Sequence, residues 1–394
     1  MNSNSHLIRG ILLIAGTSIG GGMLALPVLT SQVGFIPSLA IYFITWLFMM
    51  CTGLLFLELS LMLGKEANIL TMAEHTLGKI GKYVAWGLYI FLFYCLTLAY
   101  VIGMGDLMTN LVGNLNAWQG QIFFLLLFAP FVYAGAHLVG KFNIFLMFGL
   151  GISYLTFVAL GIPHIQKEFL MHGNWSKAWT ALPITFTAFA YQGTIPTLVT
   201  YMNRDLRQTR LAIIIGSFLP LIAYVIWQGL ILGIVPLVGP NSLSEAIADD
   251  QNAVEPLKNI LNTSAVYVAG IYFAFFAMIT SFFGVTLGLM DFWADGLKVK
   301  KTPSNKFWIC LLIFIPTLLI AFVYPKVFLM ALDFAGGFGC ALLLGLLPVL
   351  MIWSGRYYLG MKGEYRVQGG RLLLILLALF IVIELACQFA LISK

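Results

Sequence analysis

The sequence predicts an all-α, polytopic membrane protein of about eleven transmembrane helices, built as a five-plus-five inverted repeat with one extra helix. Three observations predict it. Hydrophobic residues make up 61% of the 394 and charged residues only 9%. Apolar runs long enough to cross a bilayer, which takes about 20 residues, recur along the whole chain. Two of these runs, five helices apart, are interrupted by glycine and proline at matching positions.

Composition excludes a soluble domain. With a mean hydropathy of +0.97 there are too few charges to cover a water-exposed surface, so lipid must solvate most of the chain. The first apolar run follows His6 and Arg9 and continues past Pro27 without a small-residue cleavage pattern, so it is read as a span and not as a secretory signal. Cys51, Cys95, Cys310, Cys340 and Cys387 all lie in apolar stretches without CxxC spacing, as buried structural thiols do.

The spans are placed at 8–32, 35–63, 83–112, 120–138, 143–163, 180–200, 211–236, 264–294, 307–323, 327–352 and 371–391. The net charge of +6 is distributed as a topology signal. With the N-terminus inside, sixteen of the 21 Lys and Arg residues, from Arg9 and Lys65 to Arg366 and Arg371, fall on the inner side. Lys167, Lys177, Lys258, Lys326 and Lys394 fall on the outer side. The positive-inside rule therefore favours a cytoplasmic N-terminus and an odd number of spans. Three sections are expected: 1–175 as the first repeat, 176–353 as the second, and 354–394 as a loop with the eleventh helix.

Spans one and six carry the interruptions, Gly16-Thr17-Ser18-Ile19-Gly20-Gly21-Gly22 before Pro27, and Phe189-Ala190-Tyr191-Gln192-Gly193-Thr194-Ile195-Pro196. Such segments free backbone N–H and C=O groups, which membranes tolerate only where protein or a wet cavity satisfies them. Glycine that merely allows close helix packing is the competing explanation, and two matching clusters weigh against it.

The segments GTSIGGGMLALP (16–27), FAYQGTIPTLVTYM (189–202), ITSFFGVTLGLMDFWADG (279–296) and RVQGGR (366–371) resemble the hydroxy and aromatic amino acid permeases, most closely the tyrosine-specific and tryptophan-specific members. The likeness runs over nearly the whole chain in span number and order. It implies the fold of the bacterial leucine transporter and proton symport. The expected activity is cation-coupled import of tyrosine or tryptophan by alternating access, across the bacterial inner membrane. A serine or threonine permease of the same family and a channel are the alternatives. A functional monomer with a small amino-acid substrate, surrounding lipid and no nucleic-acid partner is expected.

An amino acid presents a carboxylate, an ammonium and a side chain. The broken first span, with Thr17, Ser18, Gly20, Gly21 and Gly22, offers N–H groups and a positive half-helix end to the carboxylate. Carbonyls near Phe189, Ala190 and Gln192 suit the ammonium. Phe186, Phe189 and Ala190 share a face of span six; Tyr94 and Thr97 share one in span three, with Tyr100 nearby. These, with Tyr191 and Gln192 in the break, are the expected pocket, with Gln192 as reader of a tyrosine hydroxyl or indole N–H.

Ionisable residues in spans are costly and so informative. In the fold resembled, a glutamate placed like Glu58 caps freed backbone groups of span six, a structural role favoured here over proton carrying. Asp333, where the family does not generally show an acid, is a candidate for gating or for carrying a proton, and Glu384 for bonding a neighbouring helix. Span five lacks the lysine that some relatives in the wider superfamily place where others hold sodium. Gly16 and Ile19 with Ala277, Thr280 and Ser281 could supply five oxygens to sodium, so the coupling ion is H+ or Na+. Back-bonding of the two hydroxyls to their own helix is the plainer alternative. No catalytic set, metal cluster or cofactor motif is present, and no enzyme is expected.

Overall fold

The computed structural model describes residues 3–63, 68–113, 115–261 and 264–393, so Lys65 and Lys394 lie outside the described residues. Within them the chain is helical throughout, with no strand beyond an isolated bridge between Gly34 and Gly173.

Span one is α1 (Ser3–Ser18) and α2 (Gly21–Leu29), bent by 50°. Gly20 is extended between them, so no amide hydrogen bond carries the helix through. α3 (Phe35–Leu63) follows. α4 runs from Ile69 to Val112 but turns at Gly78, whose φ of 72° leaves the helical region, so its crossing part begins after that glycine. This accounts for the later start expected from hydropathy, at residue 83. α5 (Ala117–Ala134) and α6 (Ala136–Gly161) are joined by Gly135 alone, at φ 102°, and both start earlier than expected.

The short α7 (Lys167–Leu170) leads to the second interruption. The expected sixth span is two seven-residue helices, α8 (Leu182–Ala188) and α9 (Ile195–Tyr201), separated by Phe189–Tyr191 and a single 3-10 turn. α10 (Leu206–Ile234) returns across. The loop after it carries α11 (Leu243–Ala248) and α12 (Leu257–Ile260), and α13 (Ser264–Gly296) and α14 (Pro303–Val323) follow.

The tenth span is α15 (Phe328–Phe334), a π-helical stretch (Ala335–Leu346) and α16 (Leu347–Tyr357). Residue 353, the expected end of the second section, lies within α16. α17 (Gly370–Ile392) closes the fold. Among the described residues nine helices are long and apolar enough to cross a membrane, or ten when the α1–α2 pair counts as one. α8 and α9 are too short to qualify singly, because the break divides their apolar run.

Several contacts join helix ends that the charge pattern expects on the same side. Arg204 donates to the Leu61 carbonyl at 2.7 Å and Lys306 to the Ala134 carbonyl at 3.2 Å, joining ends expected inside. Lys326 pairs with Asp249 at 3.0 Å and Asn110 donates to Glu255 at 3.0 Å, joining ends expected outside.

Candidate functional site

The two broken helices meet, and glycine decides how closely. A Cβ on Gly22 would press on the backbone of Ala188 at 3.2 Å, so α2 and α8 touch through main chain. A Cβ on Gly21 would run into the Tyr100 ring, and one on Gly20 into the Ser281 hydroxyl. Spans three, six and eight therefore close on three consecutive glycines. Close packing and an exposed amide row are not rivals here. The Cα faces are packed, while α2 starts at an N-cap glycine with no side-chain cap; Met23 N–H bonds back to the Gly20 carbonyl at 3.0 Å, and the N–H groups ahead of it in the first turn have no helical acceptor.

The freed carbonyls are held by a residue that the sequence did not single out. Tyr224 of α10 is fully buried, and its hydroxyl lies 2.6 Å from the Ser18 carbonyl and 2.7 Å from the Ala188 carbonyl. These are the last residues of α1 and α8. The only sequence signal was a tyrosine in an apolar run, one of 16 in the chain. Nothing in that run says that its hydroxyl ends between two helices from different halves.

Around this clasp the expected pocket residues separate into two groups. Phe189 packs edge-on against Tyr224 at 5.0 Å and also against Tyr42, while Ala190 is partly exposed beside it. Thr17 is exposed, its hydroxyl donating to the Leu13 carbonyl; Ser18 is buried and its hydroxyl donates to the Ile14 carbonyl. Tyr100 lies on Gly21. These stay at the break.

Others turn away. Tyr94 donates to the Leu312 carbonyl of α14 at 2.7 Å, and Thr97 to the Phe93 carbonyl of its own helix at 2.7 Å. Phe186 sits between Phe48 of α3 and Phe380 of α17, with ring centroids 5.3 and 6.0 Å away. Phe189, the C-cap of the same helix α8, packs instead on Tyr224 and Tyr42, so the two rings have different partners. Gln192 is fully buried and spent on structure. Its Nε2 donates to the Met49 carbonyl and the Thr52 hydroxyl, both at 3.1 Å, and its Oε1 accepts from the Tyr191 N–H at 2.9 Å. Tyr191 donates its hydroxyl to the same Met49 carbonyl at 3.2 Å. Both side chains anchor the break to α3.

Glu58 does not cap span six. It forms a buried two-pronged pair with Arg356 of α16 and accepts from the Val367 N–H at 2.7 Å. The partner is basic and 298 residues away, which no local spacing reveals. At the expected cation site, Thr280 donates to the Phe276 and Ala277 carbonyls at 2.8 and 3.1 Å, the back-bonded arrangement. Ser281 reaches span one at Gly20, but Gly16 packs on Met147 of α6, and Ile19 is partly exposed. Asp333 accepts from Gln388 Nε2 of α17 at 3.0 Å. Glu384 has no hydrogen-bond partner instead of the expected bond to a neighbouring helix.

The break is open on one side. Thr17, Gly193 and Gly284 are exposed and Gly16, Ile19, Ala190, Thr280 and Ser281 partly so, whereas Gly21 to Val28 are buried. On the α2 side the 236–261 segment covers the site. The Ala253 N–H donates to the Leu24 carbonyl at 3.0 Å, and the Asp250 carboxylate accepts from the N–H groups of Phe328 and Leu329 at the start of α15. Burial raises the Asp250 and Glu255 carboxyls above their ordinary range, against smaller opposing effects of those amides and of Lys258 respectively.

A family described as the tryptophan/tyrosine permease family matches residues 3–388. The tyrosine-specific transport system 1 of Haemophilus influenzae is 33% identical over 390 residues, covering 97% of this chain and 96% of its own. The tryptophan-specific transport protein of the same organism is 29% identical over 400 residues, covering 97% and 95%. Among solved structures, MhsT in complex with L-phenylalanine shares the fold with a TM-score of 0.65 at 14% identity, over 97% of this chain and 98% of that one.

Proposed function

Because the chain belongs to the tryptophan/tyrosine permease family, we propose that it is a secondary active transporter that imports tyrosine or tryptophan by cation-coupled symport. Its relatives are transport proteins and not enzymes. The N-terminus is assigned to the cytoplasm on the distribution of Lys and Arg.

The observation that carries the reading is the meeting of α2 and α8 under the Tyr224 hydroxyl. It brings together an uncapped helix start, which suits a carboxylate, and the carbonyl-rich end of α8, which suits an ammonium. The aromatic faces of Phe189 and Tyr100 border the same place and supply an apolar wall for a ring. Exposure on the α1 side with a covering loop on the α2 side fits one half of an alternating-access cycle.

The test is thermal stabilisation of the purified protein over the twenty amino acids, followed by labelled uptake in proteoliposomes. Tyrosine or tryptophan should stabilise it and be accumulated with saturation, and excess serine should not compete. Stabilisation by serine or threonine alone would move the chain to the hydroxy amino acid branch. Unsaturable flux with single-channel currents would make it a channel.

A further inference from the structure

Spans ten and eleven meet around a polar cluster that the substrate site leaves unused. Glu384 and Gln388 stand one turn apart on one face of α17, and both are fully buried. Gln388 Nε2 is committed to Asp333. Neither carboxyl oxygen of Glu384, nor Oε1 of Gln388, has a hydrogen-bond partner. Three buried acceptors thus lie at the seam without a protein donor among the described residues.

Among the described residues, the groups acting on Glu384 offer no counter-charge. Asp333 and Cys340 from the tenth span and Cys387 from α17 are the titratable side chains near Glu384, with Cys95 of α4 beyond Cys340. The basic residues on the other elements packed against α17 are engaged elsewhere: Arg356 of α16 with Glu58, and Lys177, ahead of α8, with Gln32. A buried carboxylate without a cation or donor is strongly disfavoured. A proton on the carboxyl removes that charge and turns one acceptor into an O–H donor.

We propose that Glu384, with Asp333 and Gln388, forms the site that holds the coupling proton during transport, which deepens the reading of the chain as a cation-coupled carrier. In the cycle the Glu384 carboxylate takes H+ from water on one side of the membrane, crosses as the neutral acid, and returns H+ to water on the other. Each turnover then moves one positive charge with the substrate.

The cluster is wired to the substrate site by direct contacts. Asp333 lies in the last turn of α15, which runs into the π-helical stretch, a form that is rare and often functional. Gly337 has no room for a Cβ because the Gln388 amide occupies that place, and Gly336 lies against the Pro183 carbonyl of α8. The Leu332 carbonyl, adjacent to Asp333, accepts from the Thr187 hydroxyl at 2.6 Å. The next residue, Ala188, is the one held by Tyr224.

The experiment uses the full-length protein in proteoliposomes, with Glu384→Gln and Asp333→Asn beside the wild type. Substrate counterflow, which needs no net proton movement, reports folding and binding; accumulation under an imposed pH gradient reports coupling. One proton per substrate gives about tenfold accumulation per pH unit. The expected result is counterflow within about twofold of wild type for Glu384→Gln, with gradient-driven accumulation lost, and reduced accumulation for Asp333→Asn. Wild-type accumulation by Glu384→Gln, or accumulation driven by a sodium gradient and not by protons, overturns the proposal. Infrared difference spectra across pH supply a readout that needs no substrate, a protonated-carboxyl band present in wild type and missing from Glu384→Gln. Absence of that band in wild type also overturns it. Wild-type vesicles that exchange no aromatic amino acid would sink the substrate reading separately, and the band would still decide whether Glu384 carries a proton.

Discussion

Tyr224 and Ser18, 206 residues apart in sequence, are joined by a 2.6 Å hydrogen bond from the tyrosine hydroxyl to the serine carbonyl, inside a fully buried site. The Ala188 carbonyl stands 2.7 Å from the same hydroxyl. A hydroxyl has one hydrogen, so the two broken helices share a single donor.

Removing the hydroxyl should loosen both breaks together. Tyr224→Phe keeps the ring packing on Phe189 and leaves two buried carbonyls without their donor, a loss of roughly 1–3 kcal/mol. The expected outcome is a lower melting temperature and slower tyrosine or tryptophan uptake. Equal stability and rate would show that water or another group serves those carbonyls.

Gly21→Ala is expected to abolish uptake while the protein still reaches the membrane. Its Cβ has no space against the Tyr100 ring, and overpacking a tight site typically costs 1–3 kcal/mol, by order of magnitude. Combining it with Tyr100→Ala should restore folding, read as melting temperature, by opening that space. Failure of the pair to recover stability would point to strain elsewhere in the break.

Gln192→Leu is expected to weaken the protein without changing its choice of substrate. The amide holds the break to Met49 and Thr52, and its loss strands buried partners at roughly 1–3 kcal/mol. The ratio of tyrosine to phenylalanine uptake should stay at the wild-type value. A shifted ratio would return Gln192 to the pocket.

The buried Glu58–Arg356 pair gives an asymmetric prediction. Glu58→Leu alone leaves a buried guanidinium unpaired and should cost about 3–5 kcal/mol, whereas Glu58→Leu combined with Arg356→Met should recover much of it. Melting temperatures of the two single variants and the double variant decide this. A double variant no more stable than either single one would show that the Val367 amide bond to Glu58 dominates.

The loop seal should depend on pH. Asp250 and Glu255 are raised by burial, so the packed loop binds protons more tightly than the released one. Their contribution is fully present below the ordinary carboxylate range and is lost as pH rises through the raised values. Protection of the Ala253 amide, bonded to Leu24, should therefore fall over that window, and Glu255→Gln should flatten the profile. Protection that rises with pH would contradict the assignment.

The sequence by itself determined the class and the place of both breaks, and it carries the charge bias from which the sides of the loops are expected, because these depend on local composition. A run too apolar for water, a cluster of lysines and a glycine–proline interruption each act over about 20 residues or fewer. Gly20 to Gly22 and Phe189 to Tyr191 were legible for that reason. Partner choice was not. That Glu58 finds Arg356, that Gln192 turns to Met49, and that Phe186 packs on Phe48 and Phe380 while Phe189 packs on Tyr224 were decided by how the helices cross. Tyr224 and Gln388 lie in runs with no local signal, and Glu384 was legible only as an acid in a span; packing makes the first a shared donor and leaves acceptors on the other two without one. Hydrophobic patterning is read along one helix at a time, whereas the hydrogen bonds of buried polar groups are closed between helices far apart in the chain.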